Sequence, residues 1–216
     1  NLWRDVLDGA TTVPSEEEVK AAKISHARKK LNMRLSELSE IKEILAGDSK
    51  VLVSVGRYSP EKDHKRMIDA FNKVWLDNND TYFVIIGGIQ RDEIYDQLCE
   101  YVETLPCGKN VILILSMTNP LPIVKACDGF ILASHYEGFG LVLAEADILG
   151  LPVVSTDITG PRTFMQKNNG TLVENTHAGV EKGFKMLING EIPMLTSDYQ
   201  EYNKNAIAEF MAIIEQ

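Results

Sequence analysis

Residues 51–88 read VLVSVGRYSPEKDHKRMIDAFNKVWLDNNDTYFVIIGG. Two short, β-rich apolar runs, VLVSVG (51–56) and YFVIIGG (82–88), flank DHKRMIDAFNKVWL, whose apolar residues recur at helical spacing. Strands buried on both faces read as continuous apolar runs, and a helix between two of them is the signature of a parallel pair. The same unit recurs along the chain. VILIL (111–115), GFILAS (129–134), PVVST (152–156) and GTLV (170–173) supply four more runs. The helical patterns between and after them are RDEIYDQLCEYVETL, LPIVKAC, GLVLAEADILG, a short one near RTFMQKN, and AGVEKGFKMLIN. The alternation predicts an α/β fold, a doubly wound parallel six-stranded Rossmann-like sheet, over residues 50–190.

Helical appendages are expected at both ends, 1–49 and 191–216. SEEEVKAAKISHARKKL opens with a capping box, Ser15 and Glu18, and SELSEIKEILAGD is a second amphipathic stretch ending near Gly47. From Ser197, the residues Ala206, Ile207, Phe210, Met211, Ile213 and Ile214 form another apolar stripe at helical spacing, well explained by packing. The Arg28, Lys29, Lys30 and Arg34 cluster fits a solvated helix face better than an anionic surface.

The bulk numbers exclude several functions. The chain has 216 residues, 44% of them hydrophobic, which is enough for one large domain with its own core. No uninterrupted apolar run exceeds that of Val111–Leu115, far below the roughly 20 residues a membrane-spanning helix needs. A formal net charge of -9 argues against a general nucleic-acid binder. Three cysteines, Cys99, Cys107 and Cys127, lack metal-ligand spacing and read as reduced thiols packed in a cytoplasmic protein.

In a doubly wound sheet, ligands bind beyond the carboxyl ends of the strands, where the strand order reverses. The segments following the strands are therefore the candidate site. In GRYSPEK, Gly56 lets the chain turn closely, Arg57 offers a planar fork of donors for phosphate oxygens, and Lys62 adds a point charge. Together they suit a diphosphate. Each, taken alone, would as readily pair with Glu61 or Asp63. In HYEGFGLVLAEA, Gly138 and Gly140 allow a sharp turn into a helix whose first amides, Leu141 and Val142, face an anion. Glu137 precedes that turn and Glu145 lies about 7 Å along the helix from Gly140. Carboxylates on either side of a bound phosphate match a nucleotide-sugar, with sugar hydroxyls on one side of the diphosphate and ribose hydroxyls on the other. Singly, each glutamate also fits a helix cap or a lysine partner. His135 reads either as an acid–base group or as a spacer at the rim; His26, His64 and His177 read as scattered and exposed, and Phe71, Val74 and Trp75 as helix core.

Glu137 and Glu145 with the EGFG turn between them, VGRYSPEK and GLPVVSTD together resemble the donor-binding half of the retaining glycosyltransferases of the GT-B fold, family 4, over about residues 50–190. The resemblance implies a hexosyltransferase. Arg57 and Lys62 would bind the donor diphosphate and stabilise it as leaving group, Glu137 would contact the transferred sugar, and Glu145 the ribose. Gly140, Leu141 and Val142 would offer backbone amides, Gly56, Gly138 and Phe139 would line the donor, and the SMTN loop with Met117 and Thr118 would hold the base. Transfer would retain the anomeric configuration by a front-face route. Two cations and a helix N-terminus can neutralise a departing diphosphate without a metal, and the sequence holds no Asp-x-Asp motif, so no metal and no cofactor beyond the nucleotide-sugar substrate are expected.

A complete enzyme of this kind has two Rossmann-like domains, so the chain, which begins at Asn1, is expected to be the carboxyl-terminal half of a longer protein. The missing amino-terminal domain would receive a sugar, polymer or lipid-linked acceptor. The expected setting is cell-surface polysaccharide, teichoic acid or glycolipid synthesis, in the cytoplasm and at most peripheral at the inner face of the membrane. A nucleotide-sugar-binding or sensing module without activity of its own is the alternative. In the segment TGPRTFM, Thr159, Gly160, Pro161 and Phe164 depart from the Gly-Gly pair and glutamate common in relatives, and Arg162 is expected to add a charge there.

Overall fold

The structure is a computed structural model, and it describes residues 17, 38–88, 92–115, 117–201 and 204. Two units are distinguished, Asn1–Glu43 and Ile44–Gln216, and the sheet lies in the second. The helix expected over 15–31, the basic cluster, His26 and the apolar stripe from Ala206 lie outside the described residues. Residues 38–45 are helical, inside the second amphipathic stretch.

Six strands form the sheet: β1 (Lys50–Val55), β2 (Thr81–Gly87), β3 (Val111–Leu115), β4 (Gly129–Leu132), β5 (Val153–Thr156) and β6 (Thr171–Val173). All pairings are parallel, in the order β3-β2-β1-β4-β5-β6. The six apolar runs of the sequence and the six strands coincide to within two residues at each end, because strands covered on both faces keep almost every side chain apolar. The order reverses between β1 and β4, which pair through Leu52 with Gly129 and Val53 with Phe130. That reversal opens the crevice.

The helices are α1 (His64–Trp75), α2 (Asp92–Glu103), α3 (Leu121–Lys125), α4 (Leu141–Ile148), α5 (Thr159–Lys167) and α6 (His177–Ile188). Short 3-10 turns occupy Pro60–Lys62 and Gly108–Asn110. Phe71 of α1, Phe83 of β2 and Phe184 of α6 are buried and mutually in ring contact, with Phe83 and Phe184 edge to face at 5.0 Å. Each such ring removes on the order of 150–250 Å² from water, and truncating one to alanine costs about 3–5 kcal/mol. This aromatic wedge fixes α1 and α6 on the sheet, and with α1 the position of the loop that precedes it. Cys107 and Cys127 are buried, as expected of core thiols, and burial pushes the Cys127 thiol up to about 12.

One expectation about the core fails. His64, read as exposed, is only 2% exposed and packs at 5.0 Å, ring to ring, on Tyr58. Its place at the first turn of α1, under the loop that Tyr58 anchors, forces it inside. Burial, with the Lys62 charge beside it, lowers its pKa to about 4.

Candidate functional site

The site is assembled by two loops that leave neighbouring strands at the switch point. The first runs from Gly56 to Asp63 after β1. Its anchor is Tyr58, fully buried, with the hydroxyl 2.9 Å from the Ile85 carbonyl and 3.1 Å from the Ile114 carbonyl, at the ends of β2 and β3. Tyr58 N also donates to Gly88 O at 2.8 Å. With Tyr58 pinned inward, the adjacent Arg57 is exposed at the rim, and the turn Pro60–Lys62 carries Lys62 back over Gly56. Lys62 lies so near Gly56 that a Cβ added there would meet its side-chain carbons at 3.2 Å.

The second loop runs from Ala133 to Gly140 after β4. Gly140 caps α4 with a left-handed backbone, φ 69° and ψ 38°, a conformation that glycine adopts without cost, and it has no side chain to satisfy the helix amides. The amides of Leu141 and Val142 therefore open α4 without an intrahelical partner, at the positive end of its dipole. Glu145, one turn further on, is exposed, as are Phe139 and Leu141.

The two loops meet at Lys62 and Glu137. Their side chains form an ion pair, with relative exposures of 15% and 19%. Asp63, one of the alternative partners expected for Lys62, faces Arg66 and His135 instead. Glu137 and Lys62 are thus brought together by the fold from 75 residues apart in sequence. Arg57 and Glu145 remain unpaired through their side chains among the described residues. Met117, half-buried, and Thr118, exposed, follow β3, two strands away from β1, and no hydrogen bond or ion pair joins them to the Lys62 and Glu137 pair among the described residues.

Several residues of the site carried little signal in the sequence. Tyr58 is one, an aromatic that could have been core anywhere. Gly160 is another: a Cβ there would lie 2.3 Å from the carbonyl oxygens of both Glu137 and Gly138, so the start of α5 packs directly on the backbone of the glutamate loop. Arg162, expected to add charge to the site, is exposed and forms an ion pair with Asp157. His135 is paired too, its Nε2 lying 2.7 Å from Asp63 Oδ2.

Among the described residues no helix is long and apolar enough to cross a membrane, and no group of three or more His, Cys, Asp and Glu side chains is placed to hold a metal ion.

Chemically, the arrangement is an anion cradle with hydroxyl acceptors beside it: a half-buried ammonium, an exposed guanidinium and open helix amides, with one carboxylate before the helix and one on it. Known proteins resemble the chain in sequence and fold. The chain is 27% identical over 164 residues to the capsular polysaccharide biosynthesis glycosyltransferase CapM of Staphylococcus aureus, covering 75% of this chain and 43% of that protein. It is 32% identical over 143 residues to the UDP-Gal:alpha-D-GlcNAc-diphosphoundecaprenol alpha-1,3-galactosyltransferase of Escherichia coli, covering 62% of this chain and 36% of that protein. Among solved structures, S. aureus TarM in complex with fondaparinux, alpha-GlcNAc-glycerol and UDP superposes with a TM-score of 0.59 at 29% identity, over 65% of this chain and 29% of that one. The chain therefore spans less than half the length of these relatives. Residues 37–208 match the family described as glycosyl transferases group 1. A match over that length, on a sheet of the same architecture, places this chain in the group 1 glycosyl transferase family, as a carboxyl-terminal domain of the GT-B fold.

Proposed function

We propose that this chain is the donor-binding part of a retaining hexosyltransferase, which moves a hexosyl group from a nucleotide-diphospho-sugar to a sugar, polymer or lipid-linked acceptor in cell-surface polysaccharide, teichoic acid or glycolipid synthesis. The observation that carries the reading is the meeting of Lys62 and Glu137 from the two loops at the switch point, at the foot of the open amides of α4.

On this reading the donor diphosphate takes Lys62 and Arg57, the amides of Leu141 and Val142 complete its neutralisation, Glu137 accepts from hydroxyls of the sugar, and Glu145 from the ribose. The bond from the anomeric carbon to the diphosphate oxygen breaks as the acceptor oxygen attacks from the same face. The acceptor proton passes to the departing phosphate oxygen, so configuration is retained and charge balances. Lys62 and Arg57 stabilise the leaving group as its charge grows, which is where preorganised cations contribute most. A metal is not required by this scheme. The acceptor belongs to an amino-terminal domain outside this chain, consistent with the matched region covering only 43% and 36% of the two relatives.

Calorimetric titration of the chain with UDP, GDP, ADP and CDP, without added metal, tests it. One nucleotide binds selectively, and Arg57→Ala and Glu145→Ala each weaken it at least about tenfold, the loss of one charge-assisted contact. Absence of binding to all four, or binding indifferent to both substitutions, overturns the reading.

A further inference from the structure

The Lys62 turn and the Glu137 loop are joined a second time, behind the ion pair. Asp63, next to Lys62, has a left-handed backbone, φ 42° and ψ 53°, one of two non-glycine residues with positive φ among the described residues. Its Oδ1 accepts from Arg66 N at 3.3 Å and caps α1, while its Oδ2 lies 2.7 Å from His135 Nε2 and 3.3 Å from Arg66 Nε. Arg66 is buried and reaches across the crevice: Nη2 donates to Ala133 O at 2.6 Å and Nη1 to Asn175 Oδ1 at 2.8 Å. His135 N donates to Glu61 O at 2.8 Å.

Residues 61, 63 and 66 of one loop and helix therefore hold residues 133 and 135 of the other, two positions ahead of Glu137. A helix cap alone would need only the Arg66 amide. It would need neither the left-handed backbone, which is uncommon for a residue with a Cβ, nor an imidazole from another loop. The left-handed turn brings the carboxylate to both partners at once, directly after Lys62 in the chain.

We propose that Asp63, Arg66 and His135 form a positioning clasp that sets the separation of Lys62 and Glu137, with His135 as its detachable part. The clasp's effect on the ion pair stands on the geometry alone; its effect on ligand rests on the donor reading above. The two are tested separately. In the first arm, unfolding constants are measured for Lys62→Met, Glu137→Gln and the double variant, in the native background and with His135→Ala. The factor by which the two substitutions fail to multiply is about fivefold in the native background and falls to near one without His135. An equal factor in both backgrounds, or none in either, overturns the proposal.

In the second arm, the same chain is titrated with UDP, GDP, ADP and CDP. His135→Ala weakens the nucleotide that binds by about tenfold, and His135→Gln, whose amide can still donate to Asp63, restores it to within about threefold. Both variants melt at the same temperature, which separates positioning from general destabilisation. A glutamine variant no better than the alanine variant overturns the proposal. Should the native chain bind none of the four, the donor reading fails and the first arm alone decides the clasp.

Discussion

Lys62 and Glu137 neutralise one another at the spot where, on the proposed reading, a donor needs both. A nucleoside diphosphate without its sugar must take Lys62 from Glu137 and gives the carboxylate nothing in return; a nucleotide-sugar offers hydroxyls in exchange. Glu137→Gln should therefore tighten binding of the bare nucleoside diphosphate about three- to tenfold, worth roughly 0.7–1.4 kcal/mol, and reduce the preference for the sugar-bearing form. Paired calorimetric titrations check this, and a variant that weakens both ligands equally would show that the pair does not act as a competitor. His64, one turn away, makes a prediction about stability. Burial is the largest cause of its lowered pKa, about 4 in the folded chain against an ordinary 6.5. The unfolded chain thus binds more protons between those values, so stability is full above about pH 6.5 and is lost as pH falls towards 4. The loss by pH 5 is about 2 kcal/mol. Urea unfolding at pH 7 and pH 5 should show it in the native chain, and His64→Leu should flatten the dependence by that amount.

The loop after β4 depends on an element that follows it in sequence. Gly160 in the first turn of α5 touches the Glu137 and Gly138 carbonyls so closely that any side chain would meet backbone atoms that cannot swing aside. Gly160→Ala should cost about 1–3 kcal/mol and displace the glutamate loop, weakening nucleotide binding at least about tenfold. Gly138→Ala, whose Cβ would enter open space, should change stability by under about 0.5 kcal/mol. Denaturant unfolding of the pair distinguishes a packing requirement from a general glycine effect. This contrast also marks what the sequence could and could not convey. The six strands were legible because parallel strands covered on both faces leave uninterrupted apolar runs, and the EGFG turn because glycine before an apolar helix has few other uses. The role of Gly160 was not, because it depends on a loop 22 residues earlier arriving on the same spot. Asp63, Arg66 and His135 were illegible for the same reason: charged residues near a turn look solvated until two loops from distant parts of the chain bring them together. His64 looked exposed because its burial is decided by Tyr58, whose own inward direction is set by the carbonyls of Ile85 and Ile114. Strand order beyond the existence of a switch point also depends on pairings between distant segments.

The domain as a unit has its own aromatic core, and the groups assigned to the donor lie on its own loops and helix α4, so ligand binding should be read directly in its stability. A ligand that binds only the folded state stabilises it by RT ln(1 + [L]/Kd), about 2.7 kcal/mol at one hundred times Kd. For a chain of this size each kcal/mol moves the melting temperature by about 2–4 °C, so saturating nucleotide should raise it by about 5–10 °C. The shift should arise without added metal and without the amino-terminal domain, since every group assigned to the donor lies in residues 56–145. Lys62→Met should remove most of it, because the half-buried ammonium sits where the two loops meet and its charge cannot be replaced by the exposed Arg57 alone. On the proposed reading, in which a further domain receives the acceptor, sugar transfer should stay absent in the same samples. Differential scanning fluorimetry of the native chain and Lys62→Met, each with and without UDP, GDP, ADP and CDP, measures the shift. A native chain whose melting temperature none of the four moves would overturn the reading of this domain as the donor site.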